Sequence, residues 1–544
     1  MKRTNVLLFA ASLVMSVAAC QSGVRQQVAT PAPPVPPAAA APSLPDGVTL
    51  VEAAERQPGD EVFIPYRKFR LDNGLTVILH EDRSDPLVHV DVTYHVGSAR
   101  EEVGKSGFAH FFEHMMFQGS TNVGDEQHFR IVTESGGTLN GTTYYDFTNY
   151  YQTAPANHLE KLLWLEADRM GFFLDAVMQE KFEVQRDTVK NERGQRMENA
   201  PYGLLDERVG EALYPEGHPY SWSVLGYVED LDRVSVDDLK AFFLRWYGPN
   251  NAVLAVGGDF DEAETLGWIR KYFGSIPRGS DVAPPEKPAV TLDADRYISL
   301  EDNVGLPLLR MSFPTVHAHH PDEAPLDVLM NVLGVGEASL LYRTMVSNRL
   351  AVQAQASHDC GELSCIFAIT ALPNPTAGQT LGDLERIARD SLVEFETRGV
   401  TRDDVERVKM NIVSGMIYRL DSVAGKVGQL AYYQTITGRP DLAQADIARY
   451  ENVTPDEVIR VYNEYIKDKP AVVMSIVPHG QLALRAAEDT WLRPDRMLPD
   501  YGSAAVADLD YRPASDDFDR RGVPPAGGNP PTSCAALSRA PPRP

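Results

Sequence analysis

The chain has 544 residues, 43% of them hydrophobic and 23% charged, with a formal net charge of -25. That length exceeds what one ordinary core serves and implies two or more domains. An acidic chain with no long basic run is poorly suited to nucleic acid, because phosphate backbones are bound by Lys and Arg. The first signal in chain order is a positive start at Lys2 and Arg3, followed by an apolar run from Val6 to Ala19 that is too short to span a bilayer. Residues 21–60, with the run PAPPVPPAAAAP, offer too little apolar surface to order themselves and read as a tether.

The body lies between about residues 65 and 490. Arg67–Leu71 and Leu75–His80 flank Asn73-Gly74, a strong hairpin signal, and Leu87–His95 alternates as a further strand. Helical patterns cover 104–118, 156–174, 181–199 and 235–247. The segment VSVDDLKAFFLRWYGPNNAVLAVGG from Val234 aligns without gaps with VTPDEVIRVYNEYIKDKPAVVMSIV from Val453, 219 positions later. Each opens on a capping-box pattern, Ser235 with Asp238 and Thr454 with Glu457, then runs through an amphipathic helix into a buried strand. The pattern therefore predicts an α+β chain of two homologous domains, each a mainly antiparallel sheet packed with helices. The expected boundaries are a signal segment 1–20, a tether 21–60, a first domain 61–280, a second domain 281–490 and a disordered Pro-rich tail 491–544. Cys360 and Cys365 are close enough to pair across a hairpin-like turn.

The chemistry concentrates in HFFEH at 110–114. His110 and His114, four residues apart on a helix, place both imidazoles on one face within reach of a single ion. Two imidazoles leave a zinc ion short of protein donors, so a third ligand must come from elsewhere, with a fourth position left for water. Glu113 shares that flank and suits a general base. Phe108, Phe111, Phe112, Met115, Met116 and Phe117 make the helix apolar nearly all round. Burying two His and a Glu there without partners would cost on the order of 2–7 kcal/mol, which a metal offsets. By spacing, Glu183, Asp187, Glu192 and Glu198 are all candidates for the third ligand. HAHHPDEAP, with His317, His319 and His320, reads instead as a loop before a helix, and His218 as a core or loop histidine.

GFAHFFEHMMFQGS, at 107–120, resembles the signature of the pitrilysin/insulinase family of zinc peptidases, whose H-x-x-E-H order reverses that of thermolysin-type enzymes. The resemblance selects Glu192, 78 residues after His114, as the third ligand. It differs at Gln185, where many members carry a second Glu. It continues through GGTLNGTTYYDFTNYY at 136–151, implying an edge strand that lines the cleft, with Asn140 on the substrate backbone. The second half has no H-x-x-E-H, so one zinc per chain is implied, and Arg343 from its equivalent region is a candidate substrate contact. The family fold implies half of a clamshell, completed by a second copy or a paired homologous chain. The activity implied is a zinc metalloendopeptidase acting on peptides or unfolded polypeptides, the alternative being a non-catalytic partner or assembly subunit. Val17-Ala18-Ala19-Cys20 further resembles a bacterial lipoprotein signal, implying acylation at Cys20 and an exported chain, anchored to the outer membrane by lipid alone and facing the periplasm.

Overall fold

The computed structural model describes residues 44–56, 62–501 and 527. Cys20 and Cys534 lie outside the described residues. The first strand, β1 (Val48–Ala54), falls inside the segment expected to be a tether; it pairs antiparallel with β2 (Tyr66–Leu71) and so extends the sheet by one strand. Asn73-Gly74 then turns the chain, with Gly74 at φ +94° and its N–H donating to Leu71 O at 2.9 Å, into β3 (Thr76–Glu81). With β4 (Leu87–Tyr94), β5 (Thr138–Thr143), β6 (Thr148–Pro155) and β7 (Ala252–Gly258) these form a sheet of order β1-β2-β3-β7-β4-β6-β5. Only β3 and β7 run parallel.

The second sheet contains β8 (Arg296–Asp302), β9 (Leu308–Pro314), β10 (Ala351–Cys360), β11 (Cys365–Pro373) and β12 (Val472–Pro478), in the order β10-β11-β9-β12-β8. Read from the other edge, this is the order β3-β7-β4-β6-β5 again, with one parallel pair, β8 and β12, at the same place. The expected duplication is thus visible as topology. Its helices keep register too: Val236–Trp246 and Pro455–Tyr465 both begin behind complete capping boxes. Residues 277–292 carry neither helix nor strand and connect the two halves. Cys360 and Cys365 face each other across β10 and β11 and form a disulfide. His317–His320 precede the helix Glu323–Gly334, as the sequence suggests.

Strands β7 and β12 are apolar at nearly every position because both faces of each sheet are covered. In the first half Leu254 and Val256 join the domain's own core, whereas Val253 and Ala255 point the other way. That outer face is covered by a helix from the second half, Val423–Thr437, through Val427, Leu430 and Ala431. The reciprocal contact also exists. Helix Leu205–Leu213 of the first half lays Val209, Ala212 and Leu213 on Val472, Met474 and Ile476 of β12. Each fully buried aliphatic side chain contributes about 1.5–3 kcal/mol relative to exposure, so these crossed helices stabilise the halves jointly. Lys426 with Asp82 at 2.7 Å and Arg310 with Asp206 at 2.6 Å rim the two contacts.

Beyond β12 the chain has no regular repeat, yet it stays attached as far as Tyr501. Arg496 bonds the buried Asp230 at 2.6 Å and lies over the Tyr227 ring, and Tyr501 donates to Val103 O. Residues 491–501, expected to open a disordered tail, are thus held against the first half. Side chains hold this strap rather than backbone periodicity, which is why a pattern search misses it.

At the crossing, a Cβ on Gly257 would lie 2.3 Å from Val427 Cγ2. Gly257→Ala is expected to lower stability by about 1–3 kcal/mol through overpacking. Adding Val427→Ala should recover part of the loss in urea unfolding. A double variant no better than the sum of the singles would remove this contact as the cause.

Candidate metal centre

The motif lies on the helix Phe108–Met115, shorter than the 104–118 suggested by its apolar pattern. Gly107 takes φ +85°, a conformation that interrupts the helix, and the turn before it is fixed by side chains. Glu101 receives the N–H groups of Gly107 at 3.0 Å and Ala109 at 2.8 Å, so a carboxylate caps the positive end of the helix. Trp222 Nε1 donates to the same carboxylate at 3.0 Å. Burial pushes the Glu101 carboxyl well above the usual carboxylate range, and these three donors pull it back. Ser106 gives both its N–H and its hydroxyl to Asp230, the residue that Arg496 of the C-terminal strap also engages. The loop that carries Trp222 and leads into the helix Val228–Arg233, which bears Asp230, approaches so closely that a Cβ on Gly226 would sit 2.3 Å from Gly107 N.

Three faces of this helix are apolar. Phe111 meets Phe182, and Phe112 lies among Phe173, Phe243 and Tyr247. The remaining face carries His110 and His114, whose ring centroids are 4.7 Å apart. His110 is almost shut away, with 8% of its side chain exposed, whereas His114 is 23% exposed; the site therefore opens on the His114 side. Burial lowers the His110 pKa to about 3, so its imidazole is neutral at ordinary pH.

Glu192 arrives from the helix Gln179–Arg193. Its Oε2 lies 3.1 Å from His114 Nε2 and 3.7 Å from His110 Nε2, and Oε1 pairs with Arg196 at 2.9 Å. The structure thus separates the candidates that spacing left open. Glu183 pairs with Arg186, Glu198 with Arg193, and Asp187 is exposed. Gln185 is buried on the same helix. Directly after Arg193 the helix widens into a π-turn, Gly194–Glu198, and Arg193 turns inward onto Glu207 at 2.7 Å. Arg193, one residue beyond Glu192, anchors that end of the helix through Glu207 and the carbonyl of Gly226.

The donor atoms of His110, His114 and Glu192 all lie within 4.8 Å of one another. Two imidazole nitrogens and a carboxylate oxygen form a donor set suited to zinc, and ligands bonded at about 2.0–2.2 Å to one centre stand at comparable separations. The His110 imidazole supports this fit. Its Nε2 faces Glu192 at 3.7 Å, too far for a hydrogen bond, so an ion between them would give that nitrogen a partner.

Glu113 is not one of that trio, yet lies near enough for the charges of His114 and Glu192 to act on it. Its Oε2 accepts the Thr143 hydroxyl at 2.6 Å. Burial raises its pKa, the Thr143 bond opposes the rise, and the nearby Glu192 charge adds to it. Thr143 belongs to β5, the edge of the first sheet. On that strand Gly141 keeps the space over the carboxylate open, since a Cβ there would lie 3.2 Å from Glu113 Oε1. Asn140 is exposed on the same strand, its Oδ1 accepting the Gly141 N–H. Arg343 is not brought to the cluster. It stands exposed on the turn Tyr342–Val346 and makes no ion pair among the described residues. His218 stacks on Tyr214 in a loop, away from the trio, as the sequence reading expects. Sequence reasoning missed Thr143, Glu101 and Arg196. The spacing of Arg196 four residues after Glu192 was a usable signal; Thr143 and Glu101 act across folds of the chain.

Comparison with known proteins agrees with this architecture. Residues 76–219 match the family model for insulinase (peptidase family M16), and residues 233–412 match that for the peptidase M16 inactive domain. The zinc protease PqqE of Helicobacter pylori is 29% identical over 440 residues, covering 79% of this chain and 97% of that protein. An uncharacterized zinc protease of Bacillus subtilis, YmxG, is 23% identical over 417 residues, covering 76% and 99%. Among solved structures, a protease from Helicobacter pylori superposes with a TM-score of 0.70 at 27% identity, covering 77% of this chain and all of that one. A peptidase M16 inactive domain from Pseudomonas fluorescens shares the fold, with a TM-score of 0.67 at 18% identity and coverage of 76% and 98%. With both of its halves so matched, this chain belongs to the pitrilysin/insulinase family of peptidases, family M16.

Proposed function

We propose that this chain is a zinc-dependent endopeptidase that hydrolyses peptides or unfolded polypeptides, with one ion held by His110, His114 and Glu192 and with Glu113 as general base. The observation that carries this reading is the division of labour between two carboxylates. Glu192 faces the imidazole pair, whereas Glu113, one residue from His114, keeps an oxygen clear of that set. Zinc bound there would polarise a scissile carbonyl and acidify a water molecule. The chain's own residues supply the rest. Thr143 fixes Oε2 of Glu113, leaving Oε1 beneath Gly141 to take a proton and later pass it to the leaving amine. The free edge of β5 can accept an extended peptide as an added strand, so that main-chain hydrogen bonds recognise substrate with little demand on its sequence. Asn140 is the residue on that edge proposed to hold the substrate backbone.

The same reading includes export and acylation at Cys20, supported by the Lys2-Arg3 start and the apolar run behind it, and pairing with a second copy or a homologous chain. The alternative of a non-catalytic assembly subunit takes its support from the second half, which matches a domain described as inactive. It leaves unexplained why a buried helix of the first half keeps two imidazoles and a carboxylate.

Glu113→Gln should retain bound zinc and lose about 10²–10⁴-fold in turnover of a quenched peptide, the usual worth of a positioned general base. Turnover equal to the parent would remove Glu113 from the mechanism. Glu192→Gln should instead lose the metal, read by elemental analysis after dialysis. A chelator should abolish cleavage in the parent and added zinc should restore it; cleavage that persists in chelator would place the chemistry elsewhere.

A further inference from the structure

A second cluster of metal-binding side chains lies in the other half, at the tip of the β10–β11 hairpin. The donor atoms of His358, Cys360 and Cys365 fall within 4.8 Å of one another. Cys360 and Cys365 are register partners, and His358 stands two residues before Cys360 on the same face of β10. The Cys360 sulfur is 3.8 Å from the imidazole. The imidazole itself is 0% exposed and already oriented. Its Nδ1 bonds Asp327 Oδ1 at 2.7 Å, and the other Asp327 oxygen accepts the Tyr450 hydroxyl at 2.7 Å. A histidine held through Nδ1 by a carboxylate presents Nε2 as its lone-pair donor, the arrangement found behind metal-ligating histidines. The neighbour of Nε2 is the Thr315 hydroxyl at 3.0 Å, which has another acceptor, Cys365 O, at 3.2 Å and so can release the nitrogen.

We propose that reduction of the Cys360–Cys365 disulfide opens a binding site for a thiophilic divalent cation such as zinc, with the two thiolates and His358 Nε2 as ligands. A dithiol attacks the sulfur of the exposed Cys360 or its partner, and a mixed disulfide forms. The second thiol of the reductant then displaces it, leaving two protein thiols and an oxidised cyclic disulfide. Cation binding sends the two thiol protons to solvent, so two thiolates balance the charge of the ion. Reduction leaves the sulfurs in place because the turn between them is anchored independently. Glu362 N–H donates to Asp146 at 2.8 Å, Leu363 N–H to the Tyr220 hydroxyl at 3.0 Å, and His95 meets the Glu362 carboxylate at 2.7 Å. Cys360 lines a cavity of about 410 Å³ between the halves, which supplies a path for the ion.

The test uses the full chain with Cys20→Ser and Cys534→Ser, reduced with dithiothreitol, freed of it under inert gas, and titrated with Co²⁺. One equivalent should bind with a thiolate-to-cobalt charge-transfer band that zinc abolishes. The oxidised chain should show no such band, because His110, His114 and Glu192 offer no sulfur; the result is therefore independent of the peptidase reading. Asp327→Asn should weaken the affinity read at this band by about tenfold or more, and His358→Ala further still. A reduced chain without the band overturns the proposal, as does an affinity unchanged by His358→Ala. If that variant does not fold, an affinity unchanged by Asp327→Asn overturns it equally.

Discussion

An imidazole cannot be taken out of water cheaply, and His110 has been taken out of water with its Nδ1 unpartnered among the described residues. The rest of the site is organised around that cost. The aromatic side chains that bury three faces of the helix Phe108–Met115 leave the histidines no choice of direction. Glu192 is the group to which both turn. A site that costs this much to bury is held by its neighbours and not by its own bonds, which is why so many polar anchors gather at the helix start.

Those anchors form a chain of dependence that reaches far along the sequence. Asp230 ties Ser106 in place, Arg496 ties Asp230, and Glu101 answers the unpaired N–H groups of the first turn. At the other side of the cluster the Arg193 pair with Glu207 anchors the end of the helix that carries Glu192. The trio of His110, His114 and Glu192 is therefore positioned from both ends by groups outside it. Glu113 is positioned instead by the edge strand β5, through Thr143.

Much of this was legible in the sequence where the signal is local. Asn73-Gly74, the capping boxes at Ser235 and Thr454, and the spacing of His110 and His114 each depend on residues within one turn or one hairpin. The third ligand was not local. Glu183, Asp187, Glu192 and Glu198 lie within one short stretch, and only tertiary packing gives three of them other partners or solvent and brings Glu192, the one the family resemblance selects, beside the imidazoles. Strand β1 escaped notice because an edge strand with mostly exposed residues lacks an apolar face to read. The strap to Tyr501 escaped because arginine stacking on tyrosine has no period.

The crossed helices bear on how such a chain could have arisen. Leu205–Leu213 and Val423–Thr437 occupy corresponding places in the two repeats, and each covers the sheet of the other. A lone ancestral repeat would have carried its covering helix with no sheet beneath it and a sheet with no helix above. It could persist only by exchanging that helix with an identical molecule, as in a two-fold dimer. In the single chain each half takes that helix from the other, so neither sheet is roofed without its neighbour.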